Sequence, residues 1–168
     1  METAFVSHRT PAVTPNLNNR PEASLAVGRI ARSDDAPAVA GLLTALGYPS
    51  PVEHIERRIA DRAASVDTVV FVAELAQRVV GVISFHCIPL FHADGALGRI
   101  TSLVVDPGHR QCGIGRLLVA AVEEFGRAHG CIRFEVTSGD RRPEAHAFYE
   151  HLGYKLDCRR FVKRTCDA

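Results

Sequence analysis

The sequence has almost no net charge, no long hydrophobic run and no cysteine pair with the spacing of a metal site. Its formal net charge is +1, so no overall field attracts the chain to nucleic acid or to an anionic membrane. The most apolar stretch, residues 79–93, contains two histidines and a proline and is too short to span a bilayer. We therefore expect neither a nucleic acid nor a membrane among its partners.

The five cysteines are odd in number, and no two of them have Cys-x-x-Cys spacing. This pattern argues against a disulfide framework and against a zinc site, so we expect no bound metal. The first residues, Met1–Phe5, carry no basic patch followed by an apolar run, unlike a secretory signal. The expected location is the cytoplasm, with the thiols reduced.

Length and composition indicate one ordinary soluble domain. The chain has 168 residues, of which 46% are hydrophobic and 23% charged. Prolines and asparagines without hydrophobic periodicity fill the N-terminal region, which predicts a mobile tail over residues 1–26. The folded domain is predicted over residues 27–168.

Hydrophobic spacing predicts the element order β-α-α-β-β-β-α-β-α-β-β. The most regular helix has apolar residues at i, i+3, i+4, i+7, i+8 and i+11 from Ile114 and runs to His129. A hairpin turns at residues 76–78, and a last hairpin is expected near the C-terminus. The predicted strands are 27–31, 68–74, 79–87, 96–105, 132–137, 154–156 and 161–164, and the other helices follow Ser33, Pro51 and Pro143.

Two glycines, Gly113 and Gly115, lie where a predicted strand passes into that regular helix. Glycine lets backbone N–H groups approach a bulky ligand, and the first N–H groups of a helix attract phosphate. Leu118 stands where a dinucleotide-binding loop needs a third glycine, and Arg116 follows Gly115 where a nucleotide P-loop needs lysine. The pattern thus predicts a phosphate ligand but matches neither of these two loops.

The pattern Arg110-x-x-Gly113-x-Gly115 resembles the pyrophosphate loop of the GNAT superfamily of N-acetyltransferases. It follows Leu103-Val104-Val105-Asp106-Pro107, and a strand ending in Val-Asp-Pro also precedes the loop in the family. A second family landmark, Phe148-Tyr149-Glu150 with Leu152-Gly153-Tyr154, comes later in the family order. The resemblance covers residues 27–164 and implies acetyl transfer from acetyl-CoA to an amine.

The resemblance also implies a fold, an α/β (α+β) domain of the acyl-CoA N-acyltransferase type. Its mixed, mostly antiparallel central sheet has helices on both faces and splays apart between the fourth and fifth strands.

In the fourth predicted strand, the alternation of apolar and polar residues is interrupted, since Ile100 and Ser102 share a face while residues 103–105 are all apolar. Either a β-bulge or a strand buried on both faces explains this interruption.

The cosubstrate implied by the resemblance is acetyl-CoA, without a metal. In the family, the fourth strand pairs with the pantetheine amides and the loop N–H groups hold the pyrophosphate. The matching strand positions are Leu103, Val104 and Val105. The matching loop positions are Arg110, Gln111, Cys112, Gly113, Ile114, Gly115 and Arg116.

Tyr149 stands at the family's acid position, where a phenol protonates the departing thiolate. A second group must take a proton from the ammonium of the acceptor, and the family varies in which residue does so. Glu135, on the strand that flanks the expected gap, is the first candidate, and His86, in the third strand, is the second. The alternative for Tyr149 is a tyrosine that only packs in the core, and the alternative for Glu135 is an outward-facing residue of the sheet.

One position departs from the family pattern. Many members carry an asparagine seven residues before the tyrosine, and here that residue is Arg142. The departure puts the substrate rules of protein N-terminal acetyltransferases in doubt.

The acceptor therefore stays open, and it is the primary amine of either a small molecule or a peptide. A different acyl-CoA donor, a non-catalytic CoA-binding module and a homodimer also stay open.

Overall fold

The computed structural model describes residues 25–139, 142–157, 161–163 and 165, so residues 1–24 of the predicted tail lie outside it. None of the helices in this described part is long and apolar enough to cross a membrane. The strands are β1 (Val27–Ile30), β2 (Thr68–Leu75), β3 (Arg78–Pro89), β4 (Ala96–Val105) and β5 (Cys131–Val136). The helices are α1 (Ala36–Leu46), α2 (Val52–Ala63), α3 (Ile114–Ala128) and α4 (Pro143–His151).

The strands form one sheet in the order β1-β2-β3-β4-β5. Neighbours from β1 to β4 run antiparallel, whereas β5 runs parallel to β4. The predicted hairpin is confirmed, because Ala76 and Gln77 join β2 to β3 with φ values of 48° and 63°. Two central residues with positive φ match the twist of a tight hairpin. The expected mixed, mostly antiparallel sheet is confirmed.

The larger core lies on the sheet face that α3 covers, here called the α3 face. Phe85 is fully buried there, with its ring centroid 6.2 Å from that of Phe125 and 6.1 Å from that of Phe134. A Cβ on Gly98 or Gly126 would lie 2.6 Å from one of these rings. The two glycines therefore let α3 approach the sheet closely enough to enclose the aromatic cluster.

The second core lies on the opposite sheet face, here called the α1/α2 face. Its buried members from the sheet are Val72, Val82 and Val104, and those from the two helices include Val39, Ile55 and Ile59. Asp35 begins α1 and accepts hydrogen bonds from the Arg29 guanidinium of β1 at 2.7 and 2.8 Å. These bonds hold the pKa of Asp35 below its ordinary value and attach α1 to the sheet.

A β-bulge in β4 changes which residues face which core. Ile100 pairs with Phe85 and Ser102 pairs with Ser84, so Thr101 is the extra residue. Before the bulge, the even-numbered side chains of β4 lie on the α3 face, and after it Val104 lies on the α1/α2 face. The expected bulge is confirmed and located. Both cores bury part of residues 103–105, so the alternative explanation holds there as well.

The sheet opens between β4 and β5. Their pairing runs from Ala96 opposite Cys131 to Ile100 opposite Val136 and stops there. Residues 101–105 of β4 pair with β3 alone. The expected splay between the fourth and fifth strands is confirmed, and one edge of β4 keeps its backbone groups available beside the opening.

The predicted last hairpin is wrong for the residues that the structure describes. Residues 154–157 and 161–163 carry no strand, and residues 158–160 and 164 lie outside the description. Leu156 and Phe161 are 98% and 94% exposed, so they pack against no core. Because two very short strands without a buried face are only marginally stable, their alternation alone does not form a hairpin.

Candidate active site

The predicted phosphate loop joins the open end of β4 to α3. The Asp106 carboxylate accepts the Gly108 N–H at 2.8 Å, and a short 3-10 turn follows over Pro107–His109. Gln111 and Gly113 then have φ values of 61° and 80°. Left-handed residues within a turn direct successive backbone N–H groups into one concavity, which suits an anion.

The N–H groups of this loop have no acceptor among the described residues. No hydrogen bond there engages the N–H of residues 111–113, and the first helical bond of α3 runs from the Leu117 N–H to the Gly113 carbonyl. The N–H groups of residues 114–116 are therefore unpaired as well. Arg110 is exposed beside them, with Nε 3.5 Å from the Val105 carbonyl oxygen. The structure thus brings together the whole set of predicted loop residues.

Gly115 has a second role, in packing α4 against α3. A Cβ at this position would lie 3.0 Å from the Phe148 ring. Phe148 and Leu152 also pack against the α3-face core. The missing side chain of Gly115 therefore positions α4, and with it Tyr149, beside the phosphate loop.

Tyr149 is half-buried between two aromatic rings. Its ring centroid lies 5.1 Å from that of Phe148 and 5.7 Å from that of Tyr154. Burial raises the pKa of Tyr149 to about 12, so its hydroxyl is protonated at every physiological pH. The neighbouring Tyr154 hydroxyl donates to Glu123 at 3.0 Å, so Tyr154 is tied to α3.

Glu135 lies in a polar row that crosses the α1/α2 face. His86 of β3 pairs with Arg99 of β4, and Arg99 pairs with Glu135 of β5. Arg99 Nη1 donates to one carboxylate oxygen of Glu135 at 2.8 Å, and Arg133 Nε lies 3.2 Å from the other. Both oxygens of this base candidate are therefore engaged by guanidinium groups.

His86 is less constrained than Glu135. Its Nδ1 lies 3.1 Å from the Thr68 hydroxyl, and no described residue bonds its Nε2. Burial, and then the charge of Arg62, lower the pKa of His86 below its ordinary value. The imidazole is consequently neutral at pH 7, which is the form that can accept a proton.

A pocket of about 310 Å³ opens on the α1/α2 face beside the bulge. The bulge directs both Thr101 and Ser102 into this pocket, next to the opening of the sheet. Its other lining residues include Tyr48, Ser50, Arg58, Arg62 and Ser84. None of these five was predicted from the sequence: the two arginines of α2 resemble an ordinary solvated helix face, and Tyr48, Ser50 and Ser84 belong to no recognisable motif.

Arg142, the departure from the family pattern, crosses from the loop before α4 to the end of α1. Its Nη2 donates to the Leu46 carbonyl at 3.0 Å. A guanidinium at the C-terminus of a helix is favourable, because it satisfies a carbonyl that has no partner inside the helix. Arg142 thereby braces the loop before α4 against the α1–α2 side, whereas Arg141 lies outside the described residues.

Comparison with known proteins decides the family. The family model described as "Acetyltransferase (GNAT) family" matches residues 36–154, which is most of the chain. The protein belongs to the GNAT family of acetyltransferases. It is accordingly an acetyl-CoA-dependent N-acetyltransferase.

Two curated GNAT relatives act on small amines. The chain is 33% identical over 131 residues to a glucosamine 6-phosphate N-acetyltransferase of Trypanosoma brucei brucei, covering 76% of this chain and 87% of the relative. It is 40% identical over 85 residues to an aminoalkylphosphonate N-acetyltransferase of Salmonella typhimurium, covering 51% of this chain and 55% of the relative. A solved acetyltransferase of Trypanosoma brucei superposes with a TM-score of 0.70 at 27% identity, over 83% of this chain and 99% of that one.

Proposed function

We propose that this GNAT enzyme transfers the acetyl group of acetyl-CoA to the primary amine of a small molecule by direct attack. The observation that carries the proposal is the position of the loop. Its unpaired N–H groups, residues 111–116, follow the half-paired end of β4, and the pocket at Thr101 and Ser102 lies beside that end. The small amine acceptors printed in the names of both curated relatives support a small molecule over a peptide.

In this proposal the cosubstrate lies along β4 and the loop. The free edge of Leu103–Val105 would pair with the pantetheine amides, as an added strand pairs with a sheet edge. The N–H groups from Gln111 to Arg116 would hold the pyrophosphate, with Arg110 beside them. This arrangement directs the thioester into the opening between β4 and β5.

The reaction forms one bond and breaks one. The neutral amine nitrogen attacks the thioester carbon, the C–S bond breaks, and the CoA thiolate leaves. Backbone N–H near Val105 would stabilise the oxyanion. The nitrogen loses one proton to a base, and the sulfur gains one from an acid.

Tyr149 is the proposed acid. Its pKa of about 12 lies well above the ordinary thiol value of about 8.5, so complete transfer to free thiolate is uphill. The hydroxyl therefore first donates a hydrogen bond to the sulfur as negative charge develops. Such a bond is worth most in a site from which water is excluded. The hydroxyl proton passes to the sulfur as CoA leaves, and water then returns a proton to the phenolate.

Glu135 and His86 are the two proposed bases. Arg99 and Arg133 each engage one oxygen of Glu135, so an incoming proton would have to use one of the remaining lone pairs and would weaken the charge that both arginines contact. His86 is neutral at pH 7 and has Nε2 without a partner among the described residues. Glutamine substitutions at each position distinguish the two, as the predictions below set out.

A screen of small amines with acetyl-CoA, monitoring release of the free thiol, tests the proposal. We expect at least one amine to be acetylated, with the product identified by its mass. Succinyl-CoA as a second donor tests the acyl preference. If the parent protein binds CoA tightly and acetylates neither small amines nor peptides, it is a CoA-binding module and the proposed function is wrong.

A further inference from the structure

The pocket on the α1/α2 face carries two arginines that the chemistry of acetyl transfer does not use. We propose that Arg58 and Arg62 form a subsite for a phosphate or phosphonate group on the acceptor amine. This inference rests on the proposed function, because it assigns the α1/α2 pocket to the acceptor. It adds a substrate class and the two residues that select it.

The two arginines lie on one wall of the pocket. Arg58 and Arg62 lie one turn apart on α2 and line the same pocket as Thr101 and Ser102. Residues four apart on a helix are neighbours on one face. An acceptor whose anionic end lies at α2 therefore extends toward the bulge, where the sheet opens.

The charges of the two arginines are available to an anionic ligand. No carboxylate of the described residues lies within 4 Å of either guanidinium, although two like charges one turn apart repel each other. Arg58 reaches only the Ser50 hydroxyl at 3.4 Å, and Arg62 donates to the Arg58 carbonyl at 3.1 Å. By contrast, Arg99 at the far side of this face has a carboxylate at 2.8 Å. The charges of Arg58 and Arg62 thus have no carboxylate partner among the described residues, and both face the pocket.

The hydrogen-bond donors of the two arginines suit a phosphate or phosphonate group. A guanidinium presents a planar fork of N–H donors that matches phosphate oxygens, and two such forks suit a group with two negative charges and three oxygens. The Ser50 hydroxyl lies 3.4 Å from Arg58 Nη1, and Tyr48 also lines the pocket. Apolar side chains, among them Val39, Ile55 and Ile59, line much of the rest of the pocket, so an organic linker between the anion and the amine is accommodated.

The test uses amines in matched pairs, with and without the phosphorus group. One pair is 2-aminoethylphosphonate and ethylamine, and the other is glucosamine 6-phosphate and glucosamine. β-Alanine, which carries a carboxylate in place of the phosphonate, tests whether any anion is enough. In at least one pair, the parent should prefer the amine that carries the phosphate or phosphonate by at least about tenfold in kcat/KM. Charge-assisted hydrogen bonds are strong enough to give a preference of this size. Arg58→Gln and Arg62→Gln should each reduce that preference about tenfold.

Arg57→Gln is the matched control, since Arg57 carries the same charge on the same helix but does not line the pocket. It should keep the preference of the parent, and thermal unfolding should show all three variants folded. The proposal is overturned if neutral members react as well as anionic ones, if β-alanine reacts as well as the phosphonate, or if neither pocket variant changes the preference.

A binding measurement separates this inference from the proposed function. Calorimetry titrates 2-aminoethylphosphonate and glucosamine 6-phosphate into the parent and the Arg62→Gln variant with CoA present. Weaker binding to the variant, without thiol release from any amine, would support the anion subsite and contradict the proposed function. Acetylation of neutral amines together with no binding of either anionic probe would support the function and overturn the subsite.

Discussion

The two faces of the sheet use the same strands for different purposes. On the α3 face, β3 and β4 present Phe85 and Ile100 to a sealed core. On the α1/α2 face, the same strands present Ser84 and Ser102 to an open pocket and His86 to a polar row. Both faces hold a buried core, but the α1/α2 face covers its strands only in part, which leaves room there for polar groups beside the core.

The bulge at Thr101 connects the two faces. It reverses the alternation of β4, so that both Thr101 and Ser102 line the pocket while Leu103 and Val105 pack toward α3. Pairing with β5 stops at the same place. One extra residue therefore lies at the point where β4 begins to line the pocket and where its edge loses β5, the two features that the proposal assigns to the acceptor and the cosubstrate.

The largest expected effect concerns Tyr149, which approaches from the α3 side. Tyr149→Phe removes one donor and little volume, so turnover should fall by about 10²–10⁴-fold, the usual contribution of general acid catalysis. The CoA affinity and the KM of the amine should stay near the parent values, because the lost interaction belongs to the transition state. Turnover within about threefold of the parent, well below that range, would show that Tyr149 only packs.

The next effect separates stability from chemistry. Phe85→Ala should lower the free energy of unfolding by about 3–5 kcal/mol, because it empties the centre of the α3-face core. Phe91→Ala, at a fully exposed phenylalanine, should change it by less than about 0.5 kcal/mol. Denaturant titration of both variants measures the difference. Similar losses in the two variants would mean that the α3-face core is not the source of stability.

Two glycines of the loop should respond differently to alanine. Gly113→Ala forces a residue with a side chain into a left-handed conformation, which costs about 1–2 kcal/mol. The loop should shift to relieve this strain, and the affinity for CoA should fall about tenfold or more. Gly115→Ala places a Cβ 3.0 Å from the Phe148 ring and should displace α4, lowering turnover more than CoA affinity.

Gly41→Ala is the control for both changes, because no atom lies near its added Cβ and its φ is ordinary. Calorimetry with CoA and steady-state kinetics measure the three variants. Parent-like CoA binding by the Gly113 variant would contradict the assignment of the loop to the pyrophosphate.

The smallest expected effect is a shift in pH dependence. If His86 is the base, kcat/KM should fall as the pH drops and protonates it, with a midpoint below the ordinary histidine value of about 6.5. Arg62→Gln removes a nearby positive charge, so the midpoint should move to higher pH, whereas Arg57→Gln should leave it in place. If Glu135→Gln abolishes turnover and His86→Gln leaves this acidic limb intact, Glu135 is the base.

The sequence predicted the α3 face better than the α1/α2 face, for a physical reason. Helix α3 has strong hydrophobic periodicity because one of its faces is buried. The loop before it is restricted to glycine at two positions because a ligand must approach the backbone closely. The arginines of α2 carry no such constraint, and only the folded sheet shows that they share a pocket with Thr101. The last hairpin failed because the alternation at Leu156 and Phe161 has no core to cover it.

The central claim is that the cosubstrate binds at the loop of α3 and the acceptor at the α1/α2 face. Hydrogen–deuterium exchange tests it directly, with CoA added first and a phosphonate amine second. CoA should slow exchange in residues 103–117 and leave α2 unchanged, and the amine should then slow exchange in α2. Unchanged exchange in residues 103–117 at saturating CoA, or protection of α2 by CoA alone, would contradict the account.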